Sequence, residues 1–146
     1  MAYLKKRSTL LAETALEYEE GVHVTTVTGS SGGTATINTD VDRFSYTKIG
    51  RTVRVGGTIY VTNVDAISGT LLFSLPFVMQ GSVDGDGYWS VHLPTYNVNW
   101  PGDALTAQAA PDQSYVEIWG ISDGGTTSSC ATTGYYRFHF VYETTV

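Results

Sequence analysis

Cysteine is all but missing from this 146-residue chain: Cys130 stands alone. One thiol cannot close an internal disulfide, so neither a cystine framework nor an oxidising compartment is implied. Its surroundings, "TTSSCATTG", hold no base to activate it, and it reads as a small, partly buried side chain. Charge is also sparse. Asp, Glu, Lys and Arg make up 15% of the residues, and the formal net charge is −6. That balance excludes a nonspecific nucleic-acid binder, which needs a basic surface. Lys5, Lys6 and Arg7 form only a local basic run. No apolar run approaches the ~20 residues of a membrane-crossing helix, so no membrane insertion is expected. The start "MAYLKKRSTLLAETAL" has the outline of a signal peptide, but Glu13 interrupts its apolar part too early. Ala, Leu, Glu and Lys do not dominate, which argues against a helical bundle.

What is abundant is Gly, Thr, Ser, Val and Tyr, the composition of strands joined by many turns. The length suits one domain. Residues 1–20 differ from the rest. They contain no Gly or Pro and run from basic Lys5, Lys6 and Arg7 to acidic Glu13, Glu17, Glu19 and Glu20. Leu10, Leu11, Ala15, Leu16 and Tyr18 can form one or two helical turns, with Ser8 or Thr9 as the cap. So short a segment is marginal alone. It reads as an N-terminal arm, helical or extended, ordered by contact with something else. Residues 21–146 then form the folded domain.

From Gly21 the pattern has period two. Val22, Val24, Thr26 and Thr28 alternate with His23, Thr25 and Val27 until "GSSGG" breaks the strand. "TATIN" is a short second strand, ended by Asn38-Thr39-Asp40. The clearest alternation follows Gly50: Val53, Val55, Ile59 and Val61 face the core, and Thr52, Arg54, Thr58, Tyr60 and Thr62 face away. Gly56-Gly57 within it marks a bulge or a close backbone approach. Leu71, Phe73, Leu75, Phe77 and Met79 share a face, with Pro76 marking an edge or the end of pairing. "YWSVHL" brings Trp89, Val91 and Leu93 together. "SYVEIWGI" sets Val116 and Ile118 against Tyr115, Glu117 and Trp119. "SDGGTTSSCATTG" is a long polar loop. "YYRFHFVY" turns Tyr136, Phe138, Phe140 and Tyr142 inward and Tyr135, Arg137, His139 and Val141 outward. About eight strands with turn signals between them predict an all-β fold, an antiparallel β-sandwich or jelly roll.

Catalytic and metal chemistry find little support. His23, His92 and His139 lack metal-ligand spacing. "DGDG" at Asp84–Gly87 invites a calcium reading, but the twelfth residue from Asp84 is Thr95 where an EF-hand loop needs Glu. The tetrapeptide reads as a hairpin turn. No phosphate-binding Gly-rich loop and no G-x-S-x-G elbow is present. The chain is therefore expected to be no enzyme and to take no cofactor. Aromatic residues on the outward sides of strands point elsewhere. Tyr60, Tyr115, Trp119 and Tyr135 resemble a second apolar coat, as a subunit contact requires. Arg54 lies on the same side as Tyr60, where its charge can pair with an acid across that contact.

"FSYTKIGRTVRVGGTI" (44–59) resembles the signature of a β-sandwich domain found at the C-terminal ends of bacteriophage tail fibres and in related virion proteins. That family has an aromatic-x-Tyr-x-Lys-x-Gly-Arg run leading into alternating valines, then an "LPF"-like strand, here Leu75-Pro76-Phe77. Its opening acidic-Gly-Thr-Trp-Thr-Pro segment is matched by Glu20-Gly21, with His23, Val24 and Thr25 departing from it. The resemblance covers roughly 19–28 and 44–77. It implies a non-enzymatic, homotrimeric virion component, assembled in the host cytoplasm. With about 20 residues before the domain, the expectation is a capsid decoration, cement or head-fibre protein. Lys5, Lys6, Arg7, Leu10, Leu11 and Leu16 would anchor it to the major capsid protein or another virion protein. The alternatives are a tail-fibre tip that binds host surface glycan through Tyr88, Trp89 and Trp100, and a carbohydrate-binding module.

Overall fold

In the computed structural model, residues 17–81, 89–102, 104–122 and 126–145 are described, without the side chains of 89, 90 and 126–129. They form eleven strands. These are β1 (Tyr18–Val24), β2 (Val27–Gly29), β3 (Thr36–Ile49), β4 (Thr52–Asn63), β5 (Leu71–Ser74), β6 (Trp89–Val91), β7 (Thr95–Tyr96), β8 (Ala104–Ala109), β9 (Tyr115–Ser122), β10 (Thr126–Ser129) and β11 (Gly134–Glu143). Every pairing between them is antiparallel. One sheet, A, has the order β1-β3-β4-β11-β7. The other, B, has the order β2-β5-β9-β8-β6, with β10 on the second half of β9.

The sheets pack face to face as a β-sandwich. Phe73 of sheet B meets Tyr136 and Phe138 of sheet A, each with ring centroids 5.0 Å apart. The alternation read from the sequence sets the inward sides. Val53, Val55, Ile59, Val61, Tyr136, Phe138, Phe140 and Tyr142 are all buried. The two buried tyrosines satisfy their hydroxyls on backbone: Tyr136 donates to the Thr132 carbonyl (2.7 Å) and Tyr142 to the Phe77 carbonyl (3.3 Å). Leu71, Phe73, Leu75 and Met79 are buried as expected, and pairing stops at Ser74, just before Pro76.

The β3–β4 hairpin follows its local chemistry. Ile49 pairs with Thr52, so only Gly50 and Arg51 turn the chain. Gly50 has φ 56°, the left-handed value a type II′ turn needs at its first central residue. The Gly50 N–H also donates to the Glu17 carbonyl at 2.7 Å, tying down the start of β1. The Gly pair in β4 causes no register shift. It is a close approach rather than a bulge: a side chain at Gly57 would meet the Arg43 carbonyl and Phe44.

Four points differ from the sequence reading, three of them expectations and one a segment it left unassigned. First, Asn38-Thr39-Asp40 does not end a strand. The Asn38 side chain accepts from the Asp40 N–H (2.8 Å), as in a turn, but the chain does not reverse. The extra residues bulge out of β3 between Ile37 and Asp42, and pairing with β4 resumes at Asp42–Ile59. Second, "ALTAQA" is a strand, β8. Its Ala and Gln have weak strand propensity, but Ala107 and Ala109 are buried where β8 lies between β9 and β6. Third, Thr126–Ser129, read as loop, is β10. It pairs with β9, and the buried Cys130 that follows accepts from the Leu71 N–H at 3.2 Å. Fourth, sheet A begins at Tyr18 rather than Gly21. Glu19 and Glu20 are tolerated there because β1 is an edge strand and both are exposed. The remainder of the expected arm, with Lys5, Lys6, Arg7, Leu10, Leu11 and Leu16, lies outside the described residues.

Candidate interaction surface

The outward side of sheet A is built in rows, because antiparallel pairing puts partners side by side. From one end the rows read Tyr18, Ile49, Thr52, Glu143; then Glu20, Thr47, Arg54, Val141; then Val22, Ser45, Gly56, His139; then Val24, Arg43, Thr58, Arg137; and last Tyr60, Tyr135, Tyr96. Seven large apolar or aromatic residues are strongly exposed among the described ones, and six of them lie on this side: Tyr18, Val22, Val24, Ile49, Tyr96 and Val141. With roughly 4.8 Å between strands and 3.3 Å per residue, the face measures about 20 by 30 Å. Polar rows run between its apolar margins, and the whole face approaches one side of a standard interface in area.

Val22 and Val24 face outward because they alternate with Gly21 and His23, which lie on the inner side of β1. The same parity is kept as the chain enters sheet B, where Thr25 and Val27 are buried. His23, on the inner side of β1, has its Nε2 2.9 Å from Ser74 Oγ, and burial lowers its pKa.

At one end the tyrosines stack. The Tyr60 and Tyr135 rings are nearly parallel with centroids 4.1 Å apart, and Tyr96 lies 5.9 Å beyond Tyr135. The Arg137 guanidinium sits 5.8 Å from the Tyr96 ring centre, in cation–π range. In the middle, Gly56 leaves a trough of about 280 Å³, lined by Ser45, Tyr46, Thr47, Arg54, Gly56 and His139. Arg54 Nη2 is 3.0 Å from His139 Nε2. A guanidinium only donates, so this contact puts the imidazole lone pair on Nε2 and its proton on Nδ1. The remaining Arg54 donors meet no side-chain acceptor among the described residues and can serve one in the trough.

The five residues expected to share one contact do not all meet. Arg54, Tyr60 and Tyr135 lie together on sheet A. Tyr115 and Trp119 lie half-buried on the outer side of sheet B, because β9 belongs to the other layer. Trp119 pairs across the strands with Thr106 and Ser129, and its Nε1–H has no partner among the described residues. Of the aromatics assigned to glycan, only the Trp100 side chain is described. Trp100 is half-buried with its indole laid against Gly102 and Gly120, so tightly that a side chain at either glycine would collide with it. Tyr88 and the Trp89 side chain lie outside the described residues, as does Asp84–Gly87. Cys130 is fully buried, and burial pushes its thiol up to about 11, which suits a packing role.

Sequence reading missed Tyr18, Val22, Val24 and Tyr96 as members of the surface. The first three carry the right alternation but no sign of which parity is inward. Tyr96 stands in a two-residue strand, placed only by its pairing with Tyr135. Arg137, His139 and Val141 were legible as outward, and the structure adds their neighbours. Searches against protein-family models, curated proteins and solved structures found no match for this chain.

Proposed function

We propose that this chain is a non-enzymatic structural protein of a bacteriophage particle, of the capsid-decoration or head-fibre type, and that it works as a homotrimer. The observation that carries the reading is the outer side of sheet A, where six of the seven strongly exposed large apolar or aromatic residues gather. A lone domain gains nothing from leaving such a face in water, whereas three sandwiches around an axis cover it. The family-like run 44–59 supports the same reading, since it supplies the β3–β4 hairpin at the centre of that face. The N-terminal residues Lys5, Lys6, Arg7, Leu10, Leu11 and Leu16 are assigned to attachment on the major capsid protein or another virion protein. Decoration is preferred to glycan binding because the half-buried Trp100 ring is already packed on Gly102 and Gly120 of its own domain.

Two measurements test this. Native mass spectrometry of the full chain should give a trimer, and a strictly monomeric protein would count against the assembly. Antibody against the chain should label particles of the phage that encodes it at many sites. Unlabelled particles, or label confined to fibre tips, would overturn the decoration role.

A further inference from the structure

The charges on sheet A are sorted across it. Of the arginines on the folded domain, Arg43 pairs with Asp42 (2.8 Å) and Arg51 with Glu143 (3.7 Å). Arg54 and Arg137 meet no carboxylate among the described residues, and both stand on the β4–β11 half of the face. The opposite margin, β1, is acidic. Glu19 and Glu20 are exposed there, and Glu20 points along the outer side between Tyr18 and Val22. Among the described residues its carboxylate meets the Tyr18 hydroxyl of the same strand, at 2.5 Å, and no cation. Glu20 and Arg54 share a row, but β3 separates their strands by about 10 Å, and the two side chains do not pair within the domain.

The apolar groups divide in the same way. Tyr18, Val22 and Val24 line the acidic margin, while Tyr60, Tyr135, Tyr96 and Val141 line the cationic half. Both halves thus carry apolar groups, and they differ in unpaired charge: Glu20 on β1, Arg54 and Arg137 on β4 and β11. The trough between them is floored by Gly56 and flanked by Ser45, Thr47, Arg54 and His139, and it has the volume to take an extended carboxylate side chain.

Building on the self-association proposed above, we infer that the partner for this face is a second copy of the chain in a heterologous contact. The acidic β1 margin of one copy seats on the arginine–tyrosine half of the next, and the Glu20 carboxylate enters the neighbour's trough to bind Arg54. A contact of this kind uses two different patches per subunit. Repeated by rotation it closes into a ring, and no copy is left with an uncovered half. A carboxylate–guanidinium pair at such a contact sets orientation and partner choice, because like charges brought together are strongly rejected.

The test uses charge reversal in the full chain, read by analytical ultracentrifugation and native mass spectrometry. Both side chains are exposed, and circular dichroism checks that each variant keeps the fold; Glu20→Gln and Arg54→Gln replace any reversal that does not. Glu20→Arg alone and Arg54→Glu alone should each weaken assembly on the order of a hundredfold. The double variant E20R/R54E should recover most of that loss. Mixing the two single variants should yield hetero-dimers and open hetero-oligomers that neither forms alone, since a ring of three cannot alternate them throughout; a contact inside one chain cannot produce these. Single variants that assemble like wild type, or a mixture that stays apart, would overturn the pairing while leaving self-association standing. A wild-type chain that is monomeric throughout would overturn self-association itself.

Discussion

Gly56 and Gly57 are neighbours in β4, and the structure predicts opposite fates for them as alanines. At Gly57 an added Cβ would lie 2.6 Å from the Arg43 carbonyl oxygen and 2.9 Å from Phe44 Cδ1, where ordinary contact begins near 3.4 Å. The first obstacle is backbone of the adjacent strand, which cannot rotate away. The second is a fully buried ring set edge-on to Phe138, with centroids 5.2 Å apart. Relief requires β3 and β4 to separate locally, or Phe44 to leave its place. Overpacking of this kind costs about 2 kcal/mol. For a domain of this size that lowers Tm by roughly 4–8 °C. At Gly56 the nearest atom to an added Cβ is His139 Cδ2 at 3.7 Å, an ordinary contact on the outer side. Neither glycine has a positive φ, so backbone strain does not enter. Gly56→Ala should be neutral or should stabilise by about 0.5 kcal/mol, through the lower entropy of the unfolded chain. Urea unfolding of both variants at one protein concentration measures the difference, with m-values compared to confirm a common unfolded state. If Gly57→Ala proves as stable as Gly56→Ala, the close-approach account of this glycine is wrong.

Two further outcomes follow from buried titratable groups. Burial lowers the pKa of His23 below the ordinary 6.5, so below that pH the unfolded chain takes up this proton more readily than the folded one. Stability should therefore be unaffected by His23 above about pH 7 and fall as pH drops through 6.5; His23→Gln should flatten that slope in urea midpoints measured across the range. Cys130 is fully buried with its thiol raised to about 11, so a thiol reagent at pH 8 should react slowly with the native protein and rapidly in denaturant. Equal rates in the two conditions would refute its burial.

Much of the fold was legible because strand parity is a local property. Val53 to Val61 and Tyr136 to Tyr142 announce their inward sides by alternation alone, and Gly50 announces its turn by the φ that turn demands. Asn38–Asp40 shows where local chemistry misleads: its side-chain hydrogen bond is that of a turn, yet the strand continues because pairing with β4 resumes beyond the bulge. β8 and β10 were hidden because Ala, Gln, Ser and Thr gain strand stability from neighbours rather than from their own preferences.

The candidate surface divides along the same line. That Arg54, Tyr60, Tyr135 and Arg137 point away from a core follows from period two. That the first three share a layer while Tyr115 and Trp119 belong to the other depends on which strands pair, and pairing joins residues dozens of positions apart. Tyr135 stacks on Tyr60 across a separation that no local pattern encodes. Val22 and Val24 face water because His23, Thr25 and Val27 take the inner side, a choice of parity made by the sheets they pack between. Parity along each strand is written in neighbouring side chains, but the membership of a face is set by long-range hydrogen bonding, and so the sorting of acid to β1 and arginine to β4 and β11 becomes visible only in the folded sheet.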